Sequence, residues 1–204
     1  MYKLLTEHKR LPDLTLLLIV MLLLIIGLIM VYSSSHVWAE YKYEDAFFFV
    51  KRQLLFAGVG VVGMLVISLI PYQVWKKYVK VILVLCFLLL LLVLVPGIGI
   101  VRGGAQSWIG IGAFSIQPSE FMKLGLILYL ASYLTTHQKQ ITTFGRGFFL
   151  PISLIFIVFS FIMLQPDFGT GVVLVGTCVL MIFISGARLS YFFYLIIEIG
   201  RAHV

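Results

Sequence analysis

Two short motifs, QPSEF and QPDFG, place an acidic residue beside a Gln-Pro pair next to a long apolar segment. They cover Gln117–Phe121 and Gln165–Gly169. Proline suits the first turn of a helix, and Ser, Asp or Glu there caps free amides and complements the helix dipole. Either motif alone therefore favours simple capping. Two such helix starts on one face would direct free N–H groups at a shared surface, which suits a phosphate.

Lys123 adds a basic group to the first motif. It follows Glu120 by three residues, so the two side chains share a helix face. The lysine lies inside an apolar run, where an ionisable residue is a candidate functional group. It could equally be a membrane anchor. A lysine one helical turn inside the membrane can extend its ammonium group to the lipid headgroups. Arg52, at the start of another apolar run, has the same two interpretations, and we favour the interfacial anchor.

Membrane helices must position these residues. The chain has 204 residues, of which 62% are hydrophobic and 11% charged, and its mean hydropathy is +1.13. A soluble domain is about half apolar and about a quarter charged. Charge-free stretches of about 20 residues match the ~30 Å apolar core of a bilayer when they are helical. These stretches are residues 14–35, 53–75, 81–101, 147–166 and 168–187.

The pattern predicts an all-α polytopic membrane protein with six helices and the start of a seventh. Residues 14–32 are too long for a signal-peptide core and no A-x-A site follows, so we expect a retained first helix. The predicted helices are 14–33, 46–70, 78–96, 118–136, 147–165 and 168–187, with a seventh beginning near 189.

The basic residues predict the orientation of these helices. More of them flank the helices on the N-terminal side of the membrane than on the other side, which predicts a cytoplasmic N-terminus and an active face outside. The inner set is Lys3, Lys9, Arg10, Lys76, Lys77, Lys80, Lys139, Arg146 and Arg188, and the outer set is Lys42, Lys51, Arg52 and Arg102.

The segment between the third and fourth helices differs from the rest. Residues 96–124 read PGIGIVRGGAQSWIGIGAFSIQPSEFMKL, which is too polar to span a membrane and too apolar to float freely. We expect its first part to fold back along the outer membrane surface with Trp108 at the interface. A plain extracellular loop is the alternative.

Other residues exclude further classes of site. Cys86 and Cys178 lie inside apolar runs and fit packing rather than a disulfide framework. The four histidines have no ligand-like spacing, so no metal site is predicted. The net charge of +7 does not indicate nucleic acid, because the basic residues are scattered and form no patch with interleaved aromatics.

Taken together, the motifs resemble the SEDS family of membrane proteins, which includes FtsW, RodA and stage V sporulation protein E. GGAQSWIGIGAFSIQPSEFMKL followed by QPDFGTG carries the resemblance, and MVYSSS and FFFVKRQLLFAG agree with it. The resemblance extends from about residue 14 to 195 and is nearest to stage V sporulation protein E. It implies one transmembrane domain of about ten helices, of which residues 1–197 would be the N-terminal part.

The resemblance also implies a reaction at the outer face of the bacterial cytoplasmic membrane. The family polymerises lipid II into peptidoglycan strands with a class B penicillin-binding protein, and other division or sporulation membrane proteins are further expected partners. A sugar 4-hydroxyl attacks the anomeric carbon of the strand, and polyprenyl pyrophosphate leaves. This chemistry needs a carboxylate base and positive charge near the pyrophosphate. No cofactor is predicted in this segment, although Mg²⁺ or Mn²⁺ could assist the full-length enzyme.

The resemblance carries over to a set of candidate cavity residues. Asp167 is expected to shape an outward-facing polar cavity and to balance the charge of Lys123, rather than to act as the base. The family's proposed catalytic aspartate stands in a later H-T-D-F-like motif that this sequence lacks. The candidates are Trp108, Gln117, Ser119, Glu120, Lys123, Gln165, Asp167 and Thr170, with Arg52 and Arg102.

The end of the sequence departs from the family. Residues 198–204, EIGRAHV, look like a translated sequencing adapter and are predicted to be a non-native tail. Because this sequence lacks the H-T-D-F-like motif, we expect the polypeptide to be inactive by itself. Two other functions stay open: a lipid II flippase, which needs alternating access, and a membrane scaffold for division proteins, which needs no charged cavity.

Overall fold

A computed structural model describes residues 13–111 and 114–194. Helices account for most of these residues, and three short strands lie between the third and fourth helices. The helices are α1 Leu14–Tyr43, α2 Phe48–Ser68, α3 Tyr72–Leu92, α4 Pro118–Thr136, α5 Leu150–Met163 and α6 Phe168–Ile184. The strands are β1 Ile100–Arg102, β2 Ala105–Ile111 and β3 Phe114–Ile116.

The predicted helices all exist, and their bounds differ mainly where polar residues continue a helix. α4 begins and ends as predicted. α1 runs on to Tyr43 rather than stopping at 33, and α3 begins at Tyr72 rather than 78. A π-helical turn, Phe144–Phe149, leads into α5. A further helix begins at residue 189, as predicted, and continues to the end of the described segment. The predicted tail at 198–204 lies outside the described residues.

The chain divides into two compact units, of which the first ends at Pro71. In this unit α1 and α2 pack against each other as a helical hairpin. Asp13 caps α1, because its Oδ1 accepts hydrogen bonds from the backbone N–H groups of Thr15 at 2.9 Å and Leu16 at 3.3 Å. Apolar side chains cover all sides of both helices, and Ala39 is their one buried residue.

The turn between α1 and α2 is held by Asp45. Its Oδ2 accepts a hydrogen bond from Lys51 Nζ at 2.8 Å, and its Oδ1 accepts one from the backbone N–H of Phe47 at 3.0 Å. These two donors stabilise the carboxylate, so the pKa of Asp45 lies below its usual value.

The second unit begins at Tyr72 and contains a continuous apolar core. α3 packs on α4, α5 packs on α6, and α4 contacts α6. Two glycines allow the close approaches. A Cβ on Gly125 would lie 2.9 Å from Cys86 Sγ, and one on Gly171 would lie 2.7 Å from Met163 Cε. Cys86 and Cys178 are buried in this core, which confirms their interpretation as packing residues.

The loop after α3 forms an antiparallel sheet in the order β1-β2-β3, which the sequence did not predict. Gly103 and Gly104 have φ of 59° and 87° and make the two-residue turn between β1 and β2. Glycine adopts positive φ values without steric cost, and Gly-Gly is one of the pairs preferred in two-residue hairpin turns, so this pair favours the hairpin. β3 leads through Gln117 directly into α4.

Three helical segments among the described residues are long and apolar enough to cross a membrane: Leu14–Tyr43, Phe48–Ser68 and Phe144–Met163. Phe168–Ile184 is apolar but shorter. α3 carries three lysines near its start and α4 carries Glu120 and Lys123, which lowers their average hydropathy. The number of helices that span the membrane stays a prediction.

Candidate functional site

The starts of α4 and α6 lie together in the second unit. Gln117 immediately precedes α4, and its Nε2 donates a hydrogen bond of 2.6 Å to Asp167 Oδ2, just before α6. The same Nε2 donates to Thr170 Oγ1 at 3.4 Å. Gln117 and Asp167 are 50 residues apart in sequence, yet the two Gln-Pro motifs form one polar cluster. The contact brings the two helix starts together, and that they face the outer side of the membrane stays a prediction.

The two motifs differ in how they begin their helices. Asp167 is the N-cap of α6, and its Oδ1 accepts a hydrogen bond from the backbone N–H of Thr170 at 3.3 Å. Gln117 occupies the same position for α4, but no side chain caps that helix end. Capping therefore explains the acid of QPDFG but not the polar residues of QPSEF. Pro118 has no N–H, and the Glu120 N–H donates to the Gln117 carbonyl oxygen at 3.1 Å. The positive end of the α4 dipole, rather than a row of free N–H groups, is therefore the feature of this helix start that suits an anion.

Lys123 and Glu120 form an ion pair on α4. Lys123 Nζ lies 2.9 Å from Glu120 Oε1, with the lysine side chain 23% exposed and the glutamate 51% exposed. The predicted shared helix face is confirmed. Among the described residues, no ion pair joins Lys123 to Asp167, which instead bonds to Gln117. Any balance between the charges of Lys123 and Asp167 must act over a longer distance.

Gln165 has a buried structural contact. Its side chain is fully buried, and its Nε2 donates a hydrogen bond of 3.1 Å to the carbonyl oxygen of Leu90 near the end of α3. Gln106 makes a parallel contact from β2 to the carbonyl oxygen of Val93, at 3.3 Å. Carbonyls at a helix C-terminus lack helical partners, so these two side chains fill that role. Sequence reasoning missed Gln106, because a backbone acceptor leaves no signal in the sequence.

Ser119 is buried rather than placed on an open surface. Its Oγ and the Oε1 of Gln165 have no hydrogen-bond partner within the described part of the chain. Both residues were candidates for the cavity wall. Both are fully buried, so neither lines an open surface among the described residues.

Trp108 and Arg102 form a separate pair in the sheet. The Arg102 guanidinium carbon lies 5.5 Å from the centre of the Trp108 ring, which is the range of a cation–π contact. Residues 102 and 108 come from β1 and β2, and β2 contacts α4. The sheet thus attaches this pair to the helix that carries Lys123.

Arg52 lies in α2, in the other unit. Its guanidinium carbon lies 5.8 Å from the ring centre of Phe56, one helical turn further along. Its place at the site stays a prediction.

Glu120 and Asp167 are the two carboxylates near the starts of α4 and α6. The described residues contain no group of three or more His, Cys, Asp or Glu side chains that could hold a metal. Glu120 is engaged by Lys123, and Asp167 is engaged by Gln117 and by the start of α6.

Sequence comparison identifies the family. The family described as "Cell cycle protein", FtsW/RodA/SpoVE, matches residues 13–204. The chain belongs to this family. The resemblance predicted from the two motifs is therefore confirmed, and with it the all-α polytopic membrane fold.

Individual members of the FtsW/RodA/SpoVE family align with nearly the whole chain. Stage V sporulation protein E of Bacillus subtilis strain 168 is 57% identical over 190 residues, which cover 93% of this chain and 52% of that protein. A probable peptidoglycan glycosyltransferase FtsW of Saccharophagus degradans is 40% identical over 186 residues, covering 91% and 48%. The chain thus spans about half the length of these relatives.

Two solved structures share the fold. One is described as "Structural coordination of polymerization and crosslinking by a peptidoglycan synthase complex"; it matches with a TM-score of 0.66 and 24% identity over 88% of this chain and 51% of that chain. The crystal structure of the rod shape determining protein RodA of Thermus thermophilus matches with a TM-score of 0.59 and 21% identity, covering 88% and 58%.

Proposed function

We propose that this chain is part of a longer peptidoglycan glycosyltransferase that polymerises lipid II into glycan strands during cell division or sporulation. The observation that carries the proposal is its 40% identity, over 91% of the chain, with a relative named probable peptidoglycan glycosyltransferase FtsW. Its 57% identity with a stage V sporulation protein supports the sporulation role. The polar cluster supplies chemistry that agrees with this reaction.

The starts of α4 and α6 suit the leaving group. Polyprenyl pyrophosphate departs with negative charge, which the positive ends of two helix dipoles and the Lys123 ammonium would stabilise. Lys123 is only 23% exposed, so solvent screens its charge less than that of a surface lysine. The proposed role of Lys123 is to bind the pyrophosphate or to orient a base supplied elsewhere in the full-length protein.

Asp167 has a positioning role in this proposal. One of its carboxylate oxygens accepts a hydrogen bond from the first turn of α6, and the other accepts one from Gln117. A general base must be free to accept a proton from the attacking hydroxyl. With both oxygens engaged, Asp167 fits the support of the cluster better than it fits proton abstraction.

Partners follow from the same proposal. A glycan polymerase works with an enzyme that crosslinks its product, and one protein of similar fold comes from a peptidoglycan synthase complex. We propose a class B penicillin-binding protein as the partner, together with other division or sporulation membrane proteins.

The test is polymerisation of purified lipid II by the full-length protein with its penicillin-binding partner, measured as glycan strands on a gel. Strands are expected from the full-length protein, whereas residues 1–204 alone should yield none. Loss of a general base alone costs a factor of about 10²–10⁴. Transfer of lipid II across vesicles without any polymer would instead indicate a flippase. Polymer from residues 1–204 would place the base within this chain.

Orientation has a separate test in intact cells. A cysteine at position 106, in the sheet, should react with an impermeant maleimide, while a cysteine at position 78, in the first turns of α3, should not. The physical reason is the excess of basic residues on the predicted cytoplasmic side. The opposite labelling would refute the proposed outer face of the cluster.

A further inference from the structure

A groove lies between the first two turns of α3 and the last turns of α4, at the end of the second unit opposite the polar cluster. Its volume is about 280 Å³. Tyr72, Trp75 and Val79 line it from α3, and Leu128 and Ala131 line it from α4. The lining positions recur at three and four residues on each helix, so each helix gives one continuous face. The result is a mainly apolar channel between two helices.

The rim of this groove is polar and basic. Lys76 lines it together with Ser132 and Thr135. Within the described part of the chain, Lys76 takes part in no ion pair. Its ammonium is therefore available to a ligand, and two hydroxyl-bearing residues stand near it.

The charge at this end of the second unit has one sign. The sequence contains no Asp or Glu from 46 to 119 or from 121 to 166. The acids of the described second unit, Glu120 and Asp167, belong to the polar cluster at the other end. At the end of the second unit that contains the groove, the described charged residues are all basic. They lie at the start of α3 and in the connections after α4 and α6. They are Lys76, Lys77, Lys80, Lys139, Arg146 and Arg188.

We propose that this groove binds an anionic phospholipid, with part of an acyl chain between α3 and α4 and the phosphate at Lys76. An apolar channel suits an acyl chain, and the basic rim suits a negatively charged headgroup. Tyr72 and Trp75 line the groove within one helical turn of Lys76. Amphipathic rings of this kind are favoured at the level of the headgroups. A neutral peptide segment would use the apolar channel but would leave the unopposed basic rim unexplained.

The site is independent of the proposed polymerase activity. It lies on other turns of α3 and α4 than the polar cluster, and lipid binding at this position needs no lipid II. Failure of one proposal would therefore leave the other standing.

The test uses Trp75 as a reporter in the full-length protein, reconstituted in nanodiscs. Phosphatidylglycerol or phosphatidylcholine with brominated acyl chains is added, and quenching of tryptophan fluorescence is measured. The part of the quenching that is absent in Trp75→Phe reports lipid in the groove. We expect phosphatidylglycerol to quench at lower mole fraction. Lys76→Gln should reduce its preference over phosphatidylcholine about fivefold, because one basic residue at an anionic surface contributes about that factor.

Lys77→Gln is the matched control. The Lys77 ammonium lies 5.3 Å from the centre of the Tyr78 ring and does not line the groove. We expect this variant to change the preference less than twofold. Ala131→Phe, which fills the channel, should abolish the quenching by both lipids.

Two results would overturn the proposal. Equal losses in Lys76→Gln and Lys77→Gln would reduce the effect to diffuse attraction between a basic surface and an anionic bilayer. Absence of Trp75 quenching by either lipid would mean that a protein segment covers the groove.

Discussion

The two units of this molecule are similar in composition but different in the use of their apolar surface. The α1–α2 hairpin buries little more than Ala39 within itself, and its apolar side chains face outward on every side. The second unit encloses a core in which Leu126, Val158 and Leu174 are completely buried. Both units suit a membrane, but only the second has polar side chains fixed by packed neighbours. Polar side chains are thus fixed in position where the helices pack against each other, and a high hydropathy alone does not fix them.

The ion pairs show the same difference. Lys51 and Asp45 in the first unit are 2.8 Å apart, with the lysine side chain 68% exposed. Lys123 and Glu120 in the second unit are 2.9 Å apart, with the lysine 23% exposed. Water screens the first pair, so it contributes little energy. The second lysine lies in a less polar environment, where its charge acts more strongly on a ligand.

The largest expected effect is on catalysis by the full-length protein. Lys123→Met retains length and the apolar stem but removes the charge, so it should reduce lipid II polymerisation by a factor of at least about 10², as loss of an electrostatic stabiliser does. Lys123→Arg should rescue little, because a planar guanidinium does not replace a compact ammonium. The measurement is glycan polymer formed per amount of protein in the membrane.

Lys51→Met is the control for this experiment. It also removes the lysine of an ion pair, and the distance between Lys51 Nζ and Asp45 Oδ2 is nearly the same as that between Lys123 Nζ and Glu120 Oε1. It should leave polymerisation and abundance unchanged. Near-normal polymerisation by Lys123→Met would reduce Lys123 to a membrane anchor. Loss of both abundance and activity would make it a structural partner of Glu120.

A second effect concerns stability. Gln165→Met removes the donor to the Leu90 carbonyl, and an unsatisfied buried polar group costs about 1–3 kcal/mol. The substitution also removes the unpartnered Oε1, which offsets part of this cost, so the free energy of unfolding should fall by about 1 kcal/mol. Gln53→Met in α2 should be nearly neutral, because Gln53 is exposed. Thermal unfolding of the full-length protein in detergent compares the two. Equal melting temperatures would mean that Gln165 does not hold the α5–α6 turn to α3.

Much of this architecture was predictable, and the exceptions have physical reasons. Charge-free runs identified most of the helices. The length of such a run reflects the thickness of the apolar core of the bilayer, and a helix can continue beyond it. α1 therefore continues past its apolar part to Tyr43. The sheet was missed because two of its three strands have only three residues each. Its turn depends on Gly103 and Gly104, whose positive φ values a hydropathy pattern does not register.

Some contacts among the candidate residues were predictable from the sequence and others were not. Proline and acid at two helix starts indicated that Gln117 and Asp167 lie on a common face, and the spacing of Glu120 and Lys123 indicated their contact. The bond from Gln165 to a backbone carbonyl spans 75 residues and has no sequence pattern. Local spacing therefore predicts contacts within a turn, whereas long-range contacts require the fold.

A smaller effect compares glycines in the two units. Gly171→Ala would place a Cβ 2.7 Å from Met163 Cε and 2.9 Å from Phe159 Cε2, whereas a Cβ on Gly58 meets nothing within 4 Å. Overpacking costs about 1–3 kcal/mol, and alanine in a helix recovers up to about 1 kcal/mol. Gly171→Ala should lower the melting temperature, and Gly58→Ala should leave it equal or higher. A lower melting temperature for Gly58→Ala alone would show that the first unit packs against a neighbour there.

The smallest expected effect concerns the exposed pair in the first unit. The pKa of Asp45 is lowered mainly by its hydrogen bond to Lys51, so its folded value lies below its unfolded value near 3.8. The stabilisation by this carboxylate is therefore complete above about pH 4–5 and disappears as the pH falls through the lowered pKa. Asp45→Asn should unfold at a slightly lower temperature than the unsubstituted protein at pH 7, and this difference should vanish near pH 2. Because the carboxylate is exposed, salt should weaken the difference at pH 7. A difference that persists at low pH would mean that Asp45→Asn disturbs the turn in some way other than by removing the negative charge, because Asn Oδ1 and a protonated carboxyl can both accept the hydrogen bond from the Phe47 N–H.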